Sequence, residues 1–256
     1  MKEGNYSVLR IAKKKFQLQI DKGFILPKLP KDWQKAIDQL WEQELAKGRH
    51  LFDGELFCFL QMSREKLVGG FFPYRWFLAC QLDPVWQTRL PLVAVSVCSI
   101  TTTPTGRVIL GRRSARLASQ GGLYEFAASG AIDRSSIMAD GSGSIDYRRA
   151  ILEELHQETA LPIEACEATE LFALLYDQEN PLLELCLSIQ VQESALCHLI
   201  PNSEEYSELI TLPVNLVSPF LENRQGEVVP ISQLLWSHWL RSHQQAVSQE
   251  ELSAWH

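Results

Sequence analysis

The chain has 256 residues, 46% of them apolar, and carries 24 Lys+Arg against 31 Asp+Glu, a formal charge of -7. That apolar content excludes disorder as the default state, and the acidity excludes a general nucleic-acid binder, whose electrostatic footprint is basic. The charge is uneven: residues 1–88 sum to +4 and 89–256 to -11, and every lysine lies at or before Lys66, so the second part has only arginine as a cation. Arginine is the side chain whose planar fork matches phosphate oxygens.

In chain order, Tyr6–Ala12 and Phe16–Ile20 read as strands, with Lys13–Lys15 between them as a solvated turn and Gly23 and Pro27 as punctuation. A helix is expected over Asp32–Lys47, with Asp32 as N-cap, Gly48 beyond its end and a core stripe of Trp33, Ile37, Leu40, Trp41 and Leu45. The segment Phe71–Phe77 reads as an aromatic patch at a domain junction. The texture changes near residue 88. Leu92–Thr101 and Arg107–Leu110 flank Thr103-Pro104-Thr105-Gly106, the turn chemistry of a hairpin. Leu123–Phe126 and Ala128–Ala131 follow, then a flexible loop at Asp140–Ser144, a helix over Asp146–Thr159, strands at Leu171–Tyr176, Leu182–Val191 and Leu209–Val217, and a last helix from Pro230 to about His243. These elements predict an α+β chain in three parts: a smaller α+β unit over 1–88, a second domain over 89–246 and a tail over 247–256.

The six cysteines (Cys58, Cys80, Cys98, Cys166, Cys186, Cys197) contain no CxxC pair, so buried thiols are expected rather than a zinc site. The first ten residues lack a signal-like apolar core, and the longest apolar stretch, Leu90–Ile100, is half a membrane span. A soluble cytoplasmic protein is the expectation.

The helix at 146–159 carries the sharpest chemical signal. Glu154 and Glu158 stand four residues apart with Gln157 beside them, so all three share one side of the helix, opposite the apolar stripe of Tyr147, Ile151 and Leu155. Like charges one turn apart repel unless a cation lies between them, and a hard divalent ion takes carboxylate oxygens. Glu184, within the apolar run Leu182–Ile189, needs a partner or points into a site.

The stretch from Leu123 through Gly130 to Asp133, a spacer, and the helix Ala150-Ile-Leu-Glu-Glu154-Leu-His-Gln157-Glu158-Thr-Ala160-Leu161 resembles the Nudix hydrolase signature, and Arg107–Ser114 resembles the strand that precedes its loop. Glu154 matches the first glutamate of the signature helix, Glu158 the last and Gly130 the loop glycine. Glu153 stands in place of the arginine, Gln157 of the middle glutamate and Ala160 of the closing glycine, and the spacer is about nine residues too long. Arg148 and Arg149 lie one turn ahead of the missing arginine.

The front part, with Trp41, the Leu51–Phe57 run and Phe71–Phe77, resembles the N-terminal extension of the branch containing UDP-glucose/UDP-galactose pyrophosphatases. The resemblance implies a Nudix α/β/α sandwich with a mixed sheet and a magnesium-dependent hydrolase, manganese being the alternative ion. It would cleave a nucleoside diphosphate sugar, foremost a UDP-sugar, to nucleoside monophosphate and sugar 1-phosphate. Glu154, Glu158, Gln157 and the Gly130 carbonyl would serve the metal, with Glu154, Glu158 and Glu205 as the catalytic acids; Glu204 and Glu208 are further acids on the same stretch. Arg112, Arg113, Glu184 and Tyr124 would bind substrate, with Trp76 and Phe77 as further rings for the base. No nucleic acid or membrane partner is implied, and a homodimer is in keeping with the family. The alternatives are a non-catalytic nucleotide-binding or regulatory protein of the same fold, a Nudix hydrolase of ADP-ribose or a dinucleotide, and an unrelated α+β protein.

Overall fold

A computed structural model describes residues 2–3, 5–49, 51–117 and 120–253, with side chains over 5–243 of these. Its strands are β1 (Lys2–Glu3), β2 (Tyr6–Val8), β3 (Gln17–Ile20), β4 (Glu55–Met62), β5 (Lys66–Pro73), β6 (Ala94–Thr102), β7 (Arg107–Arg113), β8 (Tyr124–Phe126), β9 (Ser129–Ala131), β10 (Ser144–Ile145), β11 (Cys166–Asp177), β12 (Leu182–Val191) and β13 (Tyr206–Pro213). The helices are α1 (Lys31–Ala46), α2 (Tyr74–Leu82), α3 (Pro84–Arg89), α4 (Tyr147–Thr159), α5 (Val214–Asn223) and α6 (Ile231–Ser253).

Among the described residues the strands join in one mixed sheet, in the order β1-β2-β11-β12-β6-β4-β5-β3-β10, with β9 on β6 and with β7 bridging β6, β8 and β13. Alternation along the strands builds a core on each face. Val97 and Ile109 pack with Ile151 and Leu155 of α4, whereas their neighbours Cys98, Val108 and Leu110 pack with Val217 and Leu221 of α5 and Leu235 and Trp236 of α6. The result is a sandwich with helices on both faces of a mixed sheet.

The front of the chain shares this architecture. Phe16, Leu18, Phe57, Leu67 and Phe71 belong to the same buried cluster as Val95 and Ile151, so the main core runs across residue 88. A third cluster gathers Ile37 of α1, Trp76 and Phe77 of α2 and Trp86 of α3. Trp76 and Phe77 are therefore core rings in that cluster. Residues 254–256 of the expected tail lie outside the described residues, and the backbone of 247–253 continues α6.

Several local expectations give way to longer-range pairing. The expected hairpin is joined at one pair, Thr102↔Val108, because β6 runs parallel to β12 while β7 pairs with β13 and β8. Helix α1 starts at Lys31, with Pro30 at the N-cap position and no side-chain cap, so Asp32 sits inside the first turn; Leu45 is exposed, and Glu44 takes the buried position, paired with Lys47 and Arg49. The strand expected over Leu209–Val217 stops at Pro213, where α5 begins with Val217 and Leu221 on its buried side. The Asp140–Ser144 segment forms turns, with Gly141 and Gly143 at positive φ, and its end is tied to β3 through β10. Lys13–Lys15 form an exposed 3-10 turn. No helix among the described residues is long and apolar enough to cross a membrane.

Candidate active site

Helix α4 is held by local chemistry at both ends. The Asp146 side chain caps the start by accepting from Arg149 N at 3.0 Å, and Ala160 ends it in the left-handed region at φ 59° while its N–H donates to the His156 carbonyl. Tyr147, Ile151 and Leu155 anchor the helix in the core, which fixes where the other side points. Glu158 is 5% exposed, Glu154 is half-buried and Gln157 is exposed to solvent.

Gly130, in β9, lies directly under Glu154. A Cβ placed on this glycine would come within 2.2 Å of the Glu154 carboxylate carbon, so no other residue fits without displacing that side chain. Glu158 is enclosed more deeply, and its Oε2 is buried without a hydrogen-bond partner among the described residues. Burial, followed by the charges of Glu125 and Glu154, pushes the Glu158 carboxyl well above the usual carboxylate range. Burial, then Glu205 and Asp133, raises Glu154 to about 7. These carboxyls are close enough to discourage one another's ionisation, the condition a bound cation relieves.

Two members of the cluster were not anticipated from the sequence. Glu125, in β8, is 8% exposed and pairs with Arg113 at 2.6 Å while accepting from the Tyr206 hydroxyl at 3.1 Å. Burial raises its carboxyl, and Arg113 opposes that shift. Tyr206 is 1% exposed, and Gly111 makes room for it, because a Cβ there would meet the ring at 2.5 Å. The available signal for Glu125 was a carboxylate set between two aromatics in Tyr124-Glu125-Phe126, the same oddity that marked Glu184.

The 200–206 loop docks on the end of α4, with Ile200 N donating to the Thr159 carbonyl and Asn202 N to the Glu158 carbonyl. This docking brings half-buried Glu205 within reach of the acid cluster, where its charge raises Glu154, Glu158 and Glu125.

Alternation along β7 separates the two arginines. Arg113 enters the cluster and keeps a buried Nε with no hydrogen-bond partner among the described residues. Arg112 is exposed on the other side, where its Nε donates to the Gly122 carbonyl at 3.1 Å and its guanidinium lies 5.6 Å from the centre of the Tyr124 ring. Tyr124 is buried there and donates its hydroxyl to Glu208 at 2.9 Å. Arg112 and Tyr124 thus stand together but apart from Glu154 and Glu158.

Arg113, Glu125 and Ser129 line a cavity of about 190 Å³ that also contains Glu184 and Asp177. Burial raises Glu184 to about 7, against the opposing bond from the Cys98 thiol. Glu184 thus shares this cavity with Arg113 and Glu125, whereas Glu154, Glu158 and the exposed Gln157 are not among its lining residues.

Magnesium needs only one or two carboxylates and keeps several waters, so Glu154, Glu158 and the Gly130 backbone are a fitting donor set. The unpartnered Glu158 oxygen and the side-chain-free cradle at Gly130 support that fit. Among the described residues no three Asp, Glu, His or Cys side chains already converge as a complete cation cage.

No protein-family model matches the chain, and no curated protein does. Solved structures similar to it include DR0079 of Deinococcus radiodurans, at 16% identity over 70% of this chain and 96% of that one, TM-score 0.44. Tm1382, described as a candidate Nudix hydrolase, is 12% identical over 78% of this chain and 95% of that one, TM-score 0.47. The MutT protein of Methanosarcina mazei Go1 is 12% identical over 58% of this chain and 94% of that one, TM-score 0.37.

Proposed function

We propose that the chain is a Nudix-type hydrolase that uses magnesium, or manganese, to cleave the diphosphate of a nucleoside diphosphate derivative. The observation that carries this reading is the Glu158 carboxylate, buried with one oxygen unpartnered, one helical turn from a second carboxylate packed on a glycine. Burying an uncompensated carboxylate is costly, so such a pair is retained where something else completes it.

In this reading Glu154, Glu158 and the Gly130 carbonyl hold the ion. When bound, it offsets the negative charge of the diphosphate and lowers the pKa of a coordinated water. Arg113, which lines the cavity and is held by Glu125, supplies the nearby protein cation for a diphosphate oxygen. Glu205 accepts the proton of the attacking water. Water oxygen bonds to phosphorus, the P–O anhydride bond breaks, and the products are a nucleoside monophosphate and a second phosphate ester. Tyr206 positions Glu125, which in turn keeps Arg113 at the site.

The front-part resemblance makes a UDP-sugar the first substrate to test, with a homodimer and a cytoplasmic setting as the accompanying expectations. The cavity of about 190 Å³ falls below the ~300–1,000 Å³ of pockets that enclose drug-sized ligands. It suits a base or a sugar ring, with the diphosphate at the edge where Arg113 and Ser129 lie. Incubation with UDP-glucose, ADP-ribose and a dinucleoside diphosphate, each with magnesium, tests the reading. Release of UMP from the first alone supports the UDP-sugar assignment. Release from another moves the substrate, and tight binding without turnover of any of them favours a non-catalytic binding protein.

A further inference from the structure

A second cavity lies away from the acid cluster, where the 3-10 turn at Lys13–Lys15 and the start of α4 meet β11, β12 and α6. Its volume is about 410 Å³, within the ~300–1,000 Å³ range of small-molecule pockets. Lys13, Lys14 and Arg148 line it, against one carboxylate, Glu170. None of the three cations forms an ion pair among the described residues, whereas Arg75, Arg113, Arg134 and Arg149 all do. In a chain of net charge -7, three cations against one carboxylate among the described residues, with Arg148 held 4.7 Å over the Tyr147 ring, give this concavity a positive potential that favours an anion.

The rest of the lining provides neutral hydrogen-bonding groups. Thr169 and Ser188 contribute hydroxyls, and Ser188 Oγ accepts from Trp239 Nε1 at 2.9 Å while standing 3.5 Å from His243 Nε2. His243 is stacked at 4.0 Å on Trp239, which stacks at 4.9 Å on Trp236, so the imidazole at the cavity wall is the end of a fixed ring column. Hydroxyls beside cations are the parts of a phosphate site, in which the hydroxyls give orientation and the cations give attraction.

We infer that this cavity is a second binding site, distinct from the acid cluster, for a phosphate-bearing small molecule held by Lys13, Lys14 and Arg148. The site requires no metal and does not depend on the hydrolase reading. Its test is a titration of the ¹⁵N-labelled full chain with inorganic phosphate and, separately, AMP, in buffer containing a chelator. Saturable amide shifts are expected around residues 13–15, 148, 169–172 and 242–243. The double variant Lys14→Glu/Arg148→Glu should weaken binding at least about tenfold, and added sodium chloride should weaken it further. Lys13→Gln/Lys14→Gln, which changes two exposed side chains only, guards against misfolding and should weaken binding in the same direction. Non-saturating shifts, shifts confined to the surroundings of Arg113 and Gly130, or an unchanged dissociation constant in both variants would overturn the assignment.

Discussion

Glu158 is the residue on which the most chemistry converges, and it makes opposing demands on stability and activity. Replacing it with glutamine keeps the shape and removes the buried charge, so Glu158→Gln should melt higher than the parent at about pH 8 without metal, while magnesium-dependent turnover falls by about 10² or more. Thermal melts and initial rates on the same preparation check both halves. Gly130→Ala is expected to act in the opposite direction on stability. Its Cβ falls 2.2 Å from the Glu154 carboxylate carbon, so the side chain or the strand must move, at a cost of about 1–3 kcal/mol in denaturant titration together with a loss of turnover. At this scale the sequence was partly legible. The i, i+4 spacing of Glu154 and Glu158 and the isolated charge of Glu184 were visible, but Glu125 and Tyr206 reach the cluster through β7 and a docked loop, contacts between residues about eighty positions apart.

Helix α4 shows which elements can be read locally. Its N-cap, its apolar stripe at Tyr147, Ile151 and Leu155 and its end before Pro162 are all short-range features, and the helix spans Tyr147–Thr159 in the structure. The missing closing glycine has a visible consequence there, because Ala160 adopts φ 59°, a conformation that costs a residue with a Cβ about 1 kcal/mol or more. Ala160→Gly should therefore stabilise the chain by roughly 0.5–1 kcal/mol, measured as a shift in denaturation midpoint with unchanged slope. Helix α5 was less legible. Val214, Val217 and Leu221 fall on one helical face, yet the β-branched run ahead of them reads as strand until Pro213 ends β13. The β6–β7 hairpin forms only at its turn, where Thr102 pairs with Val108 and Gly106 N donates to the Thr103 carbonyl; beyond it each strand takes longer partners elsewhere in the sheet, β12 for β6 and β13 for β7.

Across the whole molecule, the split between a positive front and a strongly negative remainder is partly reconciled by folding. Lysines of the front turn come to rest against β11 and the start of α4, while the acidic remainder gathers several of its carboxylates in and beside one cavity. Those carboxyls set a pH dependence whose sign follows from their direction. Glu154 and Glu184 rise from 4.5 to about 7 on folding, and Glu158 also rises, so between about pH 4.5 and 7 the folded state holds protons that the unfolded state has released. Their stabilising contribution is full below that window and is lost as pH rises through it, up to roughly 3 kcal/mol for a group shifted that far. The metal-free chain should lose stability from pH 5 to pH 8, and magnesium at pH 8 should restore part of it, as followed by melting temperature with and without chelator. Glu55, lowered by its bond to Arg134, works in the opposite sense, but its exposed setting keeps that contribution small.

The measurement that tests the central claim most directly is phosphate-ester release from a panel of nucleoside diphosphate derivatives by the parent chain and Glu158→Gln, each with magnesium and with chelator. The predicted result is turnover of at least one compound by the parent with magnesium only, and none by the variant. Undiminished turnover by Glu158→Gln, or turnover that persists in chelator, would contradict the account.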